Sequence, residues 1–248
     1  MGEGIPTQRT TRQKVETAWQ HFGALRTFQL AIQKSIASWL FDFNSLHAVE
    51  THYSDWNFIP TPEAWPYRWG TEDDAELLTG GGISLDQVRA LFSCGGRPVL
   101  LERDGELVTY VWYLPDGVSN SGWIWIAPGP EELVSTGHQV LPKFRGQGIY
   151  QRTRNFAGSQ LAAEGYRRHI STVEALNRAS LRAGEGGRPG TGPRRYVGRI
   201  TYVRILGLVI FRLSGATGSR KWGAGFWRRK HPYRLSYDFF HEKDGASG

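Results

Sequence analysis

From Val15 to Phe43 the apolar residues Val15, Ala18, Phe22, Leu25, Phe28, Ile32, Ile36, Trp39 and Phe43 recur every third or fourth position, with Arg26, Gln29, Gln33, Lys34 and Ser38 between them. That spacing predicts an amphipathic helix, or two in series, with one apolar stripe. Asn44, Asn57, Pro60, Pro62 and Pro66 then break any period and read as a linker, which sets a boundary near Ala64. Beyond it, Tyr67 to Gly70 reads as a short strand. Thr71, followed by Glu72, Asp73 and Asp74, announces a helix start, and Ser84 to Phe92 reads as a second helix. Pro98 to Glu102 and Leu107 to Leu114 form strands joined by a tight Asp104-Gly105 turn. Trp123 to Ile126 alternates as a further strand, and Val134 to Leu141 follows after the Pro128-Gly129-Pro130 break.

After Pro142 the pattern changes to a glycine loop, a helix from about Tyr150 to Glu164, a strand Arg168 to Val173 and a short helix Asn177 to Ala183. Gly184 to Pro193 reads as a flexible loop, and Tyr196 to Arg204 and Leu206 to Leu213 as a last pair of strands. The tail from Ser214 mixes Gly215, Gly218, Gly223 and Gly225 with Trp222, Phe226, Trp227 and basic residues, and reads as irregular. The chain thus divides into a helical extension with linker over 1–63, a main domain over 64–213 and a basic tail over 214–248.

With 248 residues, 40% hydrophobic and 21% charged, the chain is long enough to bury a sizeable core. Cys94 has no second thiol to pair with, which excludes an internal disulfide and a cysteine-based metal site and fits a reducing, cytoplasmic setting. The start of the chain carries neither a basic, apolar leader nor a myristoylation signal. The longest apolar run, Ile205 to Phe211, falls far short of the roughly 20 residues of a spanning helix and reads as a buried strand. The formal net charge of +7 favours anionic partners, and no acidic residue occurs between Glu185 and Asp238.

The segment Val140-Leu141-Pro142-Lys143-Phe144-Arg145-Gly146-Gln147-Gly148-Ile149-Tyr150 carries a strand into a two-glycine turn and then directly into a helix. Glycines let such a turn aim several N–H groups at one point, and the helix start adds its positive dipole end, so a pyrophosphate can sit there beside Arg145. A plain tight turn before a helix also contains such glycines. The Walker motif is absent, Gln151 stands where the dinucleotide fingerprint has its third glycine, and neither a nucleophile elbow nor a zinc-protease helix occurs.

Val140-Leu141-Pro142-x-x-Arg145-Gly146-x-Gly148-Ile149 resembles motif A of the GNAT acyltransferase superfamily. Glu102 to Val108 resembles the hairpin joining that family's second and third strands, Asn177 to Leu181 its asparagine-led fourth helix, and Gly198-Arg199-Ile200 its sixth strand. The resemblance covers roughly residues 67 to 213 in order. It implies an α/β fold with a mixed, mostly antiparallel central sheet flanked by helices, and acetyl-CoA or another acyl-CoA as donor, without a metal. Main-chain N–H groups from Arg145 through Gly146, Gln147 and Gly148 to Ile149 would hold the pyrophosphate at the helix that starts with Tyr150. Lys143 would serve as a cationic donor, Val140 and Leu141 would line the pantetheine arm, and Asn177 with Ser180 would touch it or fix a water. Two departures concern chemistry: Lys143 replaces the usual Gln or Arg, and Ala183-Gly184-Glu185 lacks the tyrosine that protonates the leaving thiolate.

An attacking amine must lose a proton. His138 shares a strand face with Val140 and has a suitable ordinary pKa, while Glu102 and Glu174 stand near strand ends as rivals; a strand histidine is also commonly structural. Trp112, Trp123, Trp125, Tyr110 and Tyr113 read either as core or as an aromatic wall for the acceptor. The leading expectation is an N-acyltransferase that moves an acyl group onto a small-molecule or peptide amine by direct attack. The alternatives are a donor presented by an acyl carrier protein, and a catalytically degenerate module binding CoA, nucleic acid or a protein partner; the N-terminal helix could support a homodimer.

Overall fold

In the computed structural model, residues 41–120, 124–184, 190–226 and 232–241 are described. Residues 15–40 of the helix read from the periodicity lie outside them, and its last three positions belong to a strand instead. This strand, β1 (Phe41–His52), occupies the stretch read as helix end and linker. Leu46, Ala48, Val49, Glu50 and Thr51 are all buried, because β1 is covered on both faces and paired on both edges.

The short strand and the acid-led helix start follow as expected: β2 (Tyr67–Trp69), then a 3-10 turn that passes into α1 (Ala75–Thr79). Asp74 closes that turn by accepting the Thr71 N–H at 2.8 Å. In α2 (Leu85–Ser93), Ser84 accepts the Gln87 N–H at 3.2 Å and Gln87 reaches back to the Ser84 N–H at 3.1 Å, a reciprocal cap. β3 (Arg97–Arg103) and β4 (Glu106–Leu114) are joined at Asp104 and Gly105, both with positive φ, as a two-residue hairpin requires.

A short β5 (Val118–Asn120), absent from the sequence reading, pairs with β6 (Ile124–Ala127); Trp123 lies outside the described residues. Then come β7 (Glu132–Val140), α3 (Ile149–Ala163), β8 (Arg168–Glu174) and α4 (Arg178–Gly184), the strand-loop-helix-strand-helix unit expected. β9 (Arg195–Ile205) and β10 (Leu208–Gly215) form the final hairpin. Its turn falls at Leu206 and Gly207, so the apolar run Ile205 to Phe211 is a hairpin tip, with Leu206 61% exposed, and not one buried strand. The tail is ordered into β11 (Arg220–Gly225) and β12 (Tyr233–Ser236), correcting the irregular reading.

Nine strands make one sheet in the order β11-β10-β9-β1-β8-β7-β4-β3-β2, and every neighbouring pair is antiparallel except β7 and β8. This is the mixed, mostly antiparallel sheet expected from the sequence. It runs across both lines drawn along the chain, since β1 precedes Ala64 and β11 follows Leu213. A second sheet, β12-β6-β5, covers β1, β9 and β10 through Ile124, Ile126 and Leu235, joined by Tyr237 and Phe240 of the 3-10 turn that follows β12. β3 and β4 are buried on both faces: Val99, Leu101, Val111 and Tyr113 pack with α3, while Leu100, Tyr110, Trp112 and Leu114 pack with α1 and α2. Tyr110, Trp112 and Tyr113 are therefore core residues.

Candidate active-site cleft

β7 and β8 run parallel and paired only from Glu132 with Arg168 to Ser135 with Ser171. On its other edge β7 pairs with β4, but there Thr136 faces Trp112 while Gln139 faces Tyr110, so Gly137 and His138 together oppose Val111. This is a bulge, and Gly137 takes the left-handed φ of +67° that it needs. β8 meanwhile stays paired with β1 as far as Glu174. Held apart from two sides, the parallel strands diverge beyond Ser135 and leave a cleft in the sheet.

The outer part of the cleft has a volume of about 610 Å³. It is lined by His138, Gln139 and Val140 of β7, by Phe144, Arg145, Gly146 and Gly148 of the loop, by Ile149, Tyr150 and Gln151 at the start of α3, and by Asn177 and Ser180 beside α4. Gly146 and Gly148 have φ of +81° and +71°, and a Cβ on either would meet nothing within 4 Å, so the turn is open to a ligand rather than packed. Among the described residues no backbone hydrogen bond is donated by Gly146, Gln147 or Gly148, and the first helical bond of α3 is Arg152 N–H to Gly148 O at 3.2 Å. Arg145 Nε donates to Val140 O at 3.1 Å, tying the loop to the strand end.

An inner cavity of about 210 Å³ continues between the diverging strands, and His138, Tyr150, Asn177 and Ser180 line both parts. The His138 ring stacks on Tyr150 at 4.1 Å between centroids, and its Nε2 is buried without a partner. Burial, then the charges of Arg194 and Arg154, hold its pKa well below the ordinary value. The Tyr150 hydroxyl accepts a hydrogen bond from Arg194 Nη2. His169, deeper in, shares a hydrogen bond of 3.1 Å between Nδ1 and the Tyr53 hydroxyl, and burial followed by Arg154, Arg194 and His138 depresses its pKa strongly too.

Of the residues expected from the sequence, His138, Val140, Arg145, Gly146, Gly148, Ile149, Tyr150, Asn177 and Ser180 converge on the outer cleft, and Glu174 lines the inner cavity. Asn177 Oδ1 caps α4 by accepting the Ser180 N–H at 3.1 Å. Four residues stand elsewhere. Glu102 pairs with Arg68 at 3.5 Å beside a separate hollow walled by Trp65 and Arg103. Lys143 is turned outward to Glu106, Gln147 is not part of the lining, and Leu141 gives its N–H to Val108 O at 3.0 Å and packs into the core.

Arg154, Arg194 and His169 did not emerge from the sequence reading. Arg154 was detectable: it falls on the buried face of α3 with Ile149, Thr153, Ala157 and Leu161, where an arginine is out of place. Arg194 had no distinguishing signal among the basic residues around it. Among the described residues no group of three or more His, Cys, Asp or Glu could hold a metal ion, and no helix is long and apolar enough to cross a membrane.

No family model matches the chain. A curated relative, the carbamoyl phosphate synthase small chain of Thermosynechococcus vestitus, is 29% identical over 152 residues, which are 58% of this chain and 38% of that protein. The chain thus spans well under half of that relative. GNAT N-acetyltransferases recur among solved structures of similar fold. One from Novosphingobium aromaticivorans has a TM-score of 0.47 at 17% identity, covering 66% of this chain and 65% of that one. A GCN5-related N-acetyltransferase from Kribbella flavida has a TM-score of 0.38 at 15% identity, covering 54% and 50%. An aminoglycoside N-acetyltransferase in complex with CoA has a TM-score of 0.40 at 16% identity, covering 50% of this chain and 92% of that one.

Proposed function

We propose that the chain is an N-acyltransferase that takes an acyl group from coenzyme A and passes it directly to an amine. The observation that carries this reading is a pair of parallel strands forced apart in mid-sheet, with an open two-glycine turn leading from one of them into the start of a 15-residue helix. A diphosphate fits there: among the described residues the N–H groups from Gly146 into the first turn of α3 have no backbone partner, and the helix dipole adds to them. Val140 and Phe144 offer apolar surface to the pantetheine arm. The β7 edge beyond Ser135, unpaired on the β8 side, offers backbone donors to a thioester oxygen.

In direct transfer the amine nitrogen bonds to the thioester carbon, the carbon–sulfur bond breaks, the amine loses a proton and the sulfur gains one. Tyr150 takes the place of the tyrosine missing from the fourth helix: its oxygen accepts from Arg194, which leaves its O–H to donate into the cleft. His138, neutral, stacked on Tyr150 and with a buried Nε2 that has no partner among the described residues, serves as the proton acceptor.

The test is calorimetry with CoA, combined with thiol release from acetyl-CoA over a panel of amines. Heat on binding and thiol release with at least one amine are expected, and no heat with CoA overturns the reading. Tight CoA binding without release from any amine favours the second reading, a non-catalytic CoA-binding module, which the absence of a tyrosine at Ala183-Gly184-Glu185 motivates.

A further inference from the structure

The inner cavity contains two guanidinium groups and, among the described residues, no counter-charge bonded to either. Arg154 is 3% exposed; its contacts are Thr51 Oγ1 at 3.3 Å, Gly192 O at 3.5 Å and the faces of Trp56 and Tyr150, and its Nε has no partner. Arg194 donates to Ser180 O at 3.0 Å and to the Tyr150 hydroxyl, and its Nε is likewise buried and unpartnered. Neither forms an ion pair among the described residues.

The same protein shows how it treats a partly buried arginine that is merely structural. Arg168 is held between Glu50 at 2.9 Å and Glu132, one carboxylate on each side. Burying a cation without such a partner is strongly unfavourable, so an uncompensated pair points to an anion supplied from outside. Burial and then the charge of Arg194 disfavour even the protonated form of Arg154, as expected of like charges enclosed together. Glu174 also lines the cavity, with its Oε1 accepting from Asn44 Nδ2 at 3.3 Å. The remaining wall includes the hydroxyl residues Ser135, Thr136 and Ser171. At about 210 Å³ the space equals roughly seven waters, enough for a carboxylate on a short chain.

Resting on the acyltransferase reading, we propose that this cavity is a carboxylate subsite, in which Arg154 and Arg194 receive the anionic end of one of the two substrates. The carboxylate belongs either to the acceptor, which is then an amino acid or similar zwitterion, or to the far end of a dicarboxylic acyl group. The chemistry is the same in both cases: a planar oxyanion accepting charge-assisted N–H bonds.

Calorimetry on the full chain distinguishes the sources. N-acetylglycine is titrated against N-acetylglycinamide, with and without CoA, for the acceptor arm; succinyl-CoA is compared with butyryl-CoA for the acyl arm. In one arm the acid should bind about 30-fold or more tightly than its neutral counterpart, the yield of charge-assisted bonds to two guanidinium groups. Arg194→Met should reduce that ratio to about threefold or less, and Arg154→Lys should reduce it in part. Because the ratio is taken within each variant, a general loss of fold does not imitate the effect, and the native ratio needs no variant. Equal binding of acid and neutral counterpart in both arms overturns the proposal, as does a preference that persists in Arg194→Met. Failure of CoA to bind, with N-acetylglycine still preferred in its absence, would count against the acyl-CoA reading alone.

Discussion

Acidification from pH 7.0 to 5.5 should weaken the fold through two imidazoles rather than through its carboxylates. His169 is 3% exposed, shares a hydrogen bond with Tyr53 and stands edge-on to Tyr113, and His138 is stacked on Tyr150. In both, burial first and the two arginines next keep the ring neutral well below the ordinary pKa of 6.5. The unfolded chain has no such constraint and takes up these protons as the pH falls through 6.5. It then binds more protons than the folded chain, so stability is fully present above that pH and declines below it. A histidine kept neutral by the fold contributes a loss of about 1.2 kcal/mol between pH 7.0 and 5.5, so the pair accounts for about 2.5 kcal/mol. Glu50, whose pKa is lowered against a partly opposing burial effect, acts below its ordinary 4.5 and stays out of this window, while His47 adds in the same direction. Urea unfolding followed by tryptophan fluorescence at the two pH values measures the difference. His169→Gln, which can still bond to Tyr53, should lose about half of the pH-dependent part whatever its absolute stability. If the variant and the native chain lose equal stability between pH 7.0 and 5.5, the histidine does not carry the effect.

Arg168→Met should lower stability by about 3 kcal/mol, read as Tm or urea midpoint, because the buried Glu50 and Glu132 lose the guanidinium they share, Glu50 keeping only His52, His241 and the Tyr237 hydroxyl and Glu132 the Gly129 N–H. Gly148→Ala should cost the fold only about 1–2 kcal/mol, the strain of a side chain at φ +71° in open space, yet weaken CoA about tenfold or more by calorimetry. Tyr150→Phe should lower kcat for thiol release by about 10²-fold, a loss that a purely structural tyrosine would not produce if the fold and CoA affinity are retained. With His138 kept neutral, the pH profile of kcat/KM should show no fall centred near 6.5 on the acid side; such a limb, abolished by His138→Asn, would mean that the ring titrates normally in the free enzyme.

Elements whose local chemistry agrees with their place in the fold were legible: the Ser84 cap, the Asp104-Gly105 hairpin and the strand-turn-helix around Gly146 each carry their own signal. β1 was not, because a strand covered on both faces need not alternate, and this one spends its inward positions on polar residues. Ser45 meets Thr201 at 3.1 Å and Arg199 at 2.6 Å, and Glu50 meets Arg168, partners more than 100 residues away. β11 and β12 were hidden for a related reason: Gly223 and Gly225 weaken any strand pattern, and only pairing with β10 and β6 makes strands of these segments. In the cleft, the glycine turn announced itself, but the side chains around the inner cavity come from β4, β7, α3, β8, the start of α4 and the segment before β9, and no spacing along the chain could bring them together.

The position of β1 has a consequence for how the molecule is made. Its two neighbours, β8 and β9, begin more than 100 residues downstream, so on the ribosome the strand destined for the middle of the sheet emerges first and must wait with both edges bare. Until Arg168 arrives, Glu50 has no buried cation to meet, and solvent must satisfy it. The polar residues that concealed the strand from a hydrophobicity reading are therefore also what keeps a nascent, doubly open edge from seeking the wrong partner.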